Sequence, residues 1–456
     1  MGGLISAMWI ATGALDVAQG ALNATTNNIA NASTPGYSRE VVDLAQQTPT
    51  VEGNLTFGNG VVLQRIQSVR DQILSMQIAQ QTAQQNGSQT QLNALQQVQG
   101  LFSDPTQGIG ANLSAFFNSI SQLSTDPTNQ AQRQAVITAA QNLVGSFNQS
   151  AQSLGTIQST LNQSVPQTVE QINALTKQIA QINAKIGQMQ QLGQDPGGLL
   201  DQENQLINQL SQLTTVSETQ TQQGLTLTTG NGTALVVGNQ SFDLQTGSGP
   251  NGMVDVYSQG QDITSSLTGG SLGGTIQVRD QDIPNVLNQL NTLASQFADA
   301  FNAAQATGFD LNGNAGQPLF SYSAGGAASS LSLATTDPNA IAASSDGTQG
   351  SNGNIANLMA VETNALPSGT NPVDSYANLV AFSGNLAQQA QTGVTASTAT
   401  LNRLNDQLGS LSGVSINEET ANMLTYQNAF QAAARVVNTV DQLTQVVLNI
   451  GTSSGA

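Results

Sequence analysis

Two stretches of this sequence carry side chains that could do chemistry. Asp310-Leu311-Asn312-Gly313-Asn314 sets acidic and amide oxygens at the spacing of a calcium-binding loop. Such a loop needs a glycine at its sixth position and a bidentate glutamate at its twelfth, where this chain has Ala315 and Ser321. The stretch therefore reads as a turn. Glu418-Glu419 has the composition of a general acid and base, but adjacent helical residues point in different directions. Ser415-Ile416-Asn417-Glu418 has the Ser-x-x-Glu form of a helix-capping box, so both glutamates read as first-turn acids beside the positive end of a helix dipole. The remaining exclusions are broad. With no His and no Cys there is no imidazole base, thiolate nucleophile, disulfide or zinc site of the usual kind. Lys177 and Lys185 are the only lysines, which argues against a phosphate-binding surface and a nucleic-acid partner. The sequence points to no enzyme, no metal and no cofactor.

The surface chemistry is unusual. Of 456 residues, 27 are acidic and 9 basic, and charged residues make up 8%, against roughly 25% in ordinary globular domains. Gln, Asn, Ser and Thr stand where charges normally would, which suits a protein packed against other protein. Charge is scarcest at the ends. Asp16 is the only charged residue before Arg39, and only Glu418, Glu419, Arg435 and Asp441 follow Asp406. The N-terminal segment lacks the basic start of a secretory signal. Gly13, Asp16, Gln19 and Asn23 interrupt it as a membrane span. The expectation is a chain with no membrane partner, exported, if at all, without a signal peptide.

These end segments carry the clearest patterning. Leu4, Met8, Ala11, Leu15, Ala18, Leu22, Thr25 and Ile29 alternate at spacings of four and three, as in a coiled-coil seam. The helix should stop at Ser33-Thr34-Pro35-Gly36. Tyr426, Ala429, Ala433, Val436, Val440, Leu443, Val447 and Ile450 repeat the spacing at the other end. Between them a Gln-rich helix is expected over about 64–100. A second runs from Leu161 through Ile186 to Met189, with Pro166 near its start, and turns back at Asp195-Pro196-Gly197-Gly198 into Leu199–Leu213. Period-two runs at Leu225–Thr228, Ala234–Val237, Val254–Tyr257 and Thr275–Val278 predict short strands. Helix resumes at Pro284, a Gly- and Ser-rich stretch at 307–353 should loop over the surface, and helices follow to the end, broken near Pro367–Pro372 and Ser410–Val414. The fold class is mainly α with a β-rich insertion. Its units are a terminal pair (1–40 with 415–456), a long helical bundle (41–215 with 281–414) and a small β subdomain (216–280).

Asn27-Asn28-Ile29-Ala30-Asn31-Ala32-Ser33-Thr34-Pro35-Gly36-Tyr37-Ser38-Arg39 resembles the N-terminal motif of the bacterial flagellar axial proteins. Ser412-Gly413-Val414-Ser415-Ile416-Asn417-Glu418-Glu419, followed by Tyr426–Val436, is similar to the C-terminal motif of the hook-associated protein 1 family of hook–filament junction proteins. Leu199-Leu200-Asp201-Gln202 and Gly308-Phe309-Asp310-Leu311-Asn312-Gly313 agree with that family. Glu203-Asn204 departs from it, since Arg-Asp is usual there. The resemblance implies a flagellin-like axial protein with paired terminal helices lining the inner tube, exported unfolded by the type III route to the distal end of the hook outside the cell. It implies as partners further copies of the chain, the hook protein, the second junction protein and an export chaperone gripping the C-terminal helix. A hook or distal-rod protein is the alternative.

The assembly interface is accordingly expected at Leu4, Met8, Leu15, Leu22, Ile29, Tyr426, Val436, Val440, Leu443, Val447 and Ile450. Asn27, Asn28, Asn31, Pro35, Gly36, Tyr37, Ser412, Gly413, Glu418 and Glu419 carry the motif. Gly13 and Gly20 each weaken the first helix by about 1 kcal/mol relative to Ala, so residues 1–35 and 420–456 are expected to order only in the assembly. Trp9 is expected to pack against protein.

Overall fold

The computed structural model describes residues 2–52, 55–221 and 224–453. Its helices are α1 (Gly2–Asn31), α2 (Gln72–Leu101), α3 (Ile109–Leu123), α4 (Gln130–Gln191), α5 (Gly197–Leu213), α6 (Gly270–Gln277), α7 (Ile283–Ala306), α8 (Ala327–Ser330), α9 (Ile355–Thr363), α10 (Pro372–Ser412) and α11 (Ile416–Ser453). Strands β1 (Glu40–Gln46), β2 (Thr50–Glu52), β3 (Leu55–Phe57) and β4 (Val61–Ser68) follow α1. Strands β5 (Val216–Thr221), β6 (Gly224–Thr229), β7 (Ala234–Val237), β8 (Gln240–Ser241), β9 (Gln245–Ser248), β10 (Val254–Ser258) and β11 (Gln261–Asp262) separate α5 from α6, and β12 (Phe320–Ser321) and β13 (Ser332–Leu333) form a short pair after α7. The fold is mainly α with a β-rich insertion. The insertion's strands are antiparallel, ordered β5-β6-β7-β8 and β9-β10-β11.

Two apolar cores organise the body. One surrounds Phe116, Phe117, Phe297, Phe301 and Phe320, with ring centroids 5.0–6.3 Å apart, and joins α3, α7, α9, α10 and the N-terminal half of α4. The other joins the C-terminal half of α4, α5 and α6 to Leu225, Leu227, Leu235, Val236 and Val256 of the sheets. The β-rich segment thus shares its core with the α4–α5 hairpin.

Several local expectations are corrected. The chain from 61 to 68 is strand β4, and the helix begins only after Asp71, whose carboxylate accepts from the Leu74 amide. Antiparallel pairing with β1, Val42 opposite Ile66, and packing against α1 decide this. Thr275–Val278 is helical, because Leu272 and Ile276, four apart, both enter the second core and Gly274 lets α6 touch the backbone of α2 at Gly87. Pro166 lies inside one unbroken helix. Val165 and Val169, both buried, pack on the second core, and that burial offsets the roughly 3 kcal/mol cost of an internal proline. The 307–353 stretch is not superficial either. Leu319, Phe320, Leu331, Ile341 and Ala343 join the first core, and the buried Arg133 of α4 donates to the Pro127, Pro338 and Ile341 carbonyls, which pins the stretch down. The three remaining period-two runs are strands β6, β7 and β10.

Candidate assembly interface and its polar anchor

Helices α1 and α11 lie antiparallel, the end of α1 meeting the start of α11 where Asn28 donates to Glu419. Small residues make the close contact: Ala11, Ala18, Ala21, Ala24 and Thr25 of α1 and Ala433 of α11 are buried. The β1–β4 ribbon covers another side of α1. A Cβ on Gly20 would stand 2.6 Å from Leu63 Cδ2, and one on Gly13 would stand 3.1 Å from the Val61 carbonyl oxygen. The two glycines that weaken the helix therefore make room for the strand.

The expected seam divides. Leu4, Met8, Leu15, Leu22, Ile29 and Tyr426 are half-buried, and Val440 is buried at 6% exposure. Val436, Leu443 and Val447 are 46%, 47% and 40% exposed, so they do not face α1 in this chain. Phe430, Val437 and Thr444, one position later, take the inward column, because the helix meets α1 along 426-430-433-437-440-444. The side chain of Ile450 lies outside the described residues. Trp9 is 74% exposed, and Ile5, Leu424, Val446 and Leu448 are also exposed.

The motif residues form a polar anchor at the base of the pair. Asn28, 1% exposed, donates to the Glu40 carbonyl (2.8 Å) and to Glu419 Oε2 (3.1 Å), while its Oδ1 accepts from the Glu40 amide and the Tyr37 hydroxyl, both at 2.8 Å. All four hydrogen-bonding positions of this amide are used, as a buried polar group requires. Arg39 joins both glutamates, Nε to Glu419 Oε1 and Nη2 to Glu418 Oε1, each at 2.7 Å. Side chains that diverge at their Cα atoms converge on one guanidinium, a geometry suited to its planar fork. The Arg39 amide donates to the Ser412 carbonyl (3.0 Å), tying the end of α10 to the same point, and Gly413 donates to the Gly409 carbonyl (3.0 Å). Burial, then the charges of Glu40, Asp201 and Glu419, raise the Tyr37 hydroxyl pKa well above its ordinary value, so it stays a neutral donor.

A second ion pair fastens the anchor to the bundle. Ser38 donates through its amide (3.1 Å) and hydroxyl (2.7 Å) to Asp201 of α5, and Arg70 donates to Asp201 at 2.8 Å and to the Gly197 carbonyl. Gln205 reaches the carbonyl of exposed Pro35 at 2.6 Å, and Gly36 turns with φ 79°, a conformation that favours glycine. Asn27 and Asn31 bond each other on the exposed face. Sequence reasoning missed Ser38, Arg39, Arg70 and Asp201 as a group. The signal was present in the Ser38-Arg39 ending of one motif and the Asp201 of another, but their pairing across more than a hundred residues is not periodic. The calcium-like Asp310 is consumed by its own turn, accepting from the Asn312 and Asn314 amides at 2.8 Å. Among the described residues no three His, Cys, Asp or Glu side chains are grouped to hold a metal, and no helix is long and apolar enough to cross a membrane.

Comparison with known proteins puts a family on this arrangement. The family model described as the flagellar hook-associated protein FlgK helical domain matches residues 95–320. Flagellar hook-associated protein 1 of Salmonella typhimurium is 34% identical over 319 residues, covering 67% of this chain and 58% of that protein. The chain belongs to the flagellar hook-associated protein 1 (FlgK) family. The Bacillus subtilis member is 29% identical over 492 aligned positions, covering 96% of each chain. The match thus spans under two thirds of the Salmonella relative and nearly all of the Bacillus one. Models described as flagella basal body rod protein and flagellar basal body rod FlgEFG protein C-terminal match 8–37 and 409–450, the two terminal helices with part of the anchor. The solved flagellar hook junction protein FlgK from Burkholderia pseudomallei shares the fold, with TM-score 0.67 at 20% identity, covering 74% of this chain and all of that one.

Proposed function

We propose that this chain is a structural subunit of the bacterial flagellum, the adaptor at the hook–filament junction on which the filament assembles. The observation that carries the reading is the paired termini: a nearly uncharged α1–α11 pair that leaves Ile5, Trp9, Leu424, Val436, Leu443 and Val447 exposed. Leu424, Val436, Leu443 and Val447 would meet neighbouring copies in a tube wall, where a charge would be costly to bury. Residues 1–40 and 415–456 form the inner-tube unit, and the two-core body stands outside it. The chain is secreted through the flagellar export route, and its partners are other copies of itself, the hook protein, the second junction protein and an export chaperone at α11. A role as another axial protein of hook or rod type draws support from the rod-type matches at both termini. The helical-domain match over 95–320 favours the junction.

Electron microscopy of a deletion strain separates the two. Loss of a junction adaptor leaves hooks without filaments, whereas loss of a hook or rod protein removes the hook. Leu443→Asp, at an outward position, is expected to abolish assembly and motility while the body still folds. Normal filaments on this variant would refute the interface.

A further inference from the structure

The charged residues on α1 and α11 are Asp16, Glu418, Glu419, Arg435 and Asp441. Arg39 holds both glutamates, and the Asp441 carboxylate accepts from Gln445 at 3.1 Å, one turn further along its own helix. Asp16 and Arg435 remain. They are exposed and opposite in sign, and among the described residues neither side chain has an ion-pair or hydrogen-bond partner. Each stands in a column of exposed residues. A helix turns by about 100° per residue, so positions seven or eleven apart lie within about 20° of each other on its surface. Ile5, Trp9 and Asn23 are therefore aligned with Asp16 on α1, and Leu424, Asn428 and Val446 with Arg435 on α11, all of them exposed.

The two columns match in antiparallel register. With Asp16 opposite Arg435, Ile5 falls opposite Val446, each eleven residues away, and Asn23 falls opposite Asn428, each seven away. Carboxylate meets guanidinium, apolar meets apolar and amide meets amide. The pairing inside the chain is a different one. It uses the buried Ala11, Ala18 and Ala21, and the Asn28–Glu419 contact sets Asp16 level with position 431, four residues short of Arg435. Copies in a tube with a hook at one end and a filament at the other all run the same way, so α1 of one lies antiparallel to α11 of the next. We propose that these columns pack between adjacent copies of the chain, with Asp16 of one copy ion-paired to Arg435 of the next. The inference rests on the adaptor reading and adds to it a register: adjacent copies are offset along the tube by about four residues, or about 6 Å. Covered by a neighbour, either charge alone would be costly, and a slipped register would strand both. The pair thus selects one position among those the apolar residues alone would allow.

The test is complementation of a deletion strain, read as filament-bearing hooks counted by electron microscopy. Asp16→Arg and Arg435→Asp each set like charges against each other, and each should lower the count roughly tenfold. The two reversals in one chain should restore the parental count. Co-expressing the two single variants as separate chains should also raise the count well above either alone, because each supplies the charge the other lacks; a pair closed within one chain gains nothing from this mixture. Asp441→Asn should leave the count unchanged. Parental counts in both single reversals, no rescue by either combination, or an equal loss in Asp441→Asn would overturn the pair, whereas the adaptor reading fails separately, by loss of the hook itself on deletion. The chain has no Cys, so Ile5→Cys with Val446→Cys gives a second measurement that leaves both charges in place. Oxidation of assembled flagella should produce a ladder of multimers on a non-reducing gel, and monomer alone would overturn the register.

Discussion

The phenylalanine core and the terminal helix pair are both helical, and they are stabilised by different means. Around Phe116, Phe297, Phe301 and Phe320 every ring is buried, and each such side chain contributes roughly 1.5–3 kcal/mol. Along α1 and α11 the residues turned inward are mostly alanines, while Trp9, Leu443 and Leu448 face out. The first region is complete within one chain. The second buries little of its own apolar surface and leaves the rest exposed, where the proposed adaptor role would place a neighbour. Phe297→Ala should therefore cost about 3–5 kcal/mol in denaturant unfolding followed on the body. Leu443→Asp, already exposed, should shift that transition by no more than about 0.5 kcal/mol. Similar losses from both would erase the distinction.

The anchor is where the two regions meet. Glu419, whose side chain is 3% exposed, has Arg39 as its ion-pair partner. Arg39→Ala strands that carboxylate and should cost about 3 kcal/mol. Because the contact joins α11 to the strand after α1, the loss should appear as reduced helical circular dichroism at the termini while the phenylalanine core keeps its unfolding midpoint. A uniform loss across both regions would mean that the anchor belongs to the body.

The hairpin and sheet give a third contrast, in pH. Glu203 and Glu218 are each raised to about 7, burial being the leading cause for both. A carboxylate whose folded pKa lies above its unfolded value of about 4.5 binds more protons in the native state over that interval, so its contribution to stability falls as pH rises from about 4.5 through 7. Glu203→Gln should melt near the parent at pH 4.5 and above it at pH 8. A difference independent of pH would show that Glu203 is already solvated.

Much of this was legible in the residues. The two terminal helices, the α4–α5 hairpin and strands β6, β7 and β10 follow from period and turn chemistry alone. What was not legible depends on partners distant in sequence. Val61–Ser68 has apolar positions that suit a helix until β1 is beside it, and Thr275–Val278 reads as a strand until Leu272 joins Ile276 on one face. On α11 two candidate columns differ by one residue, and only the approach of α1 selects Val437 over Val436. Asp201 stands in a motif whose purpose emerges only when Ser38 and Arg70 arrive from elsewhere in the chain.

Helix caps provide the finest version of the comparison. Asn371, capping α10 of the body, accepts from the Asp374 amide at 2.8 Å and donates to its carboxylate at 2.8 Å, a reciprocal box closed within four residues. Ser415, capping α11, is 3.5 Å from the Glu418 amide, at the limit of a hydrogen bond, and Glu418 is turned toward Arg39. Asn371→Ala should cost about 1 kcal/mol, the usual worth of a cap. Ser415→Ala should cost only a few tenths, well below that usual cap value, because the start of α11 is held by a residue some 380 positions away. Combining Ser415→Ala with Arg39→Ala tests this directly: if Arg39 has taken over the role of the cap, the double variant loses more than the two single losses added together, since the local cap matters only once the distant one is gone.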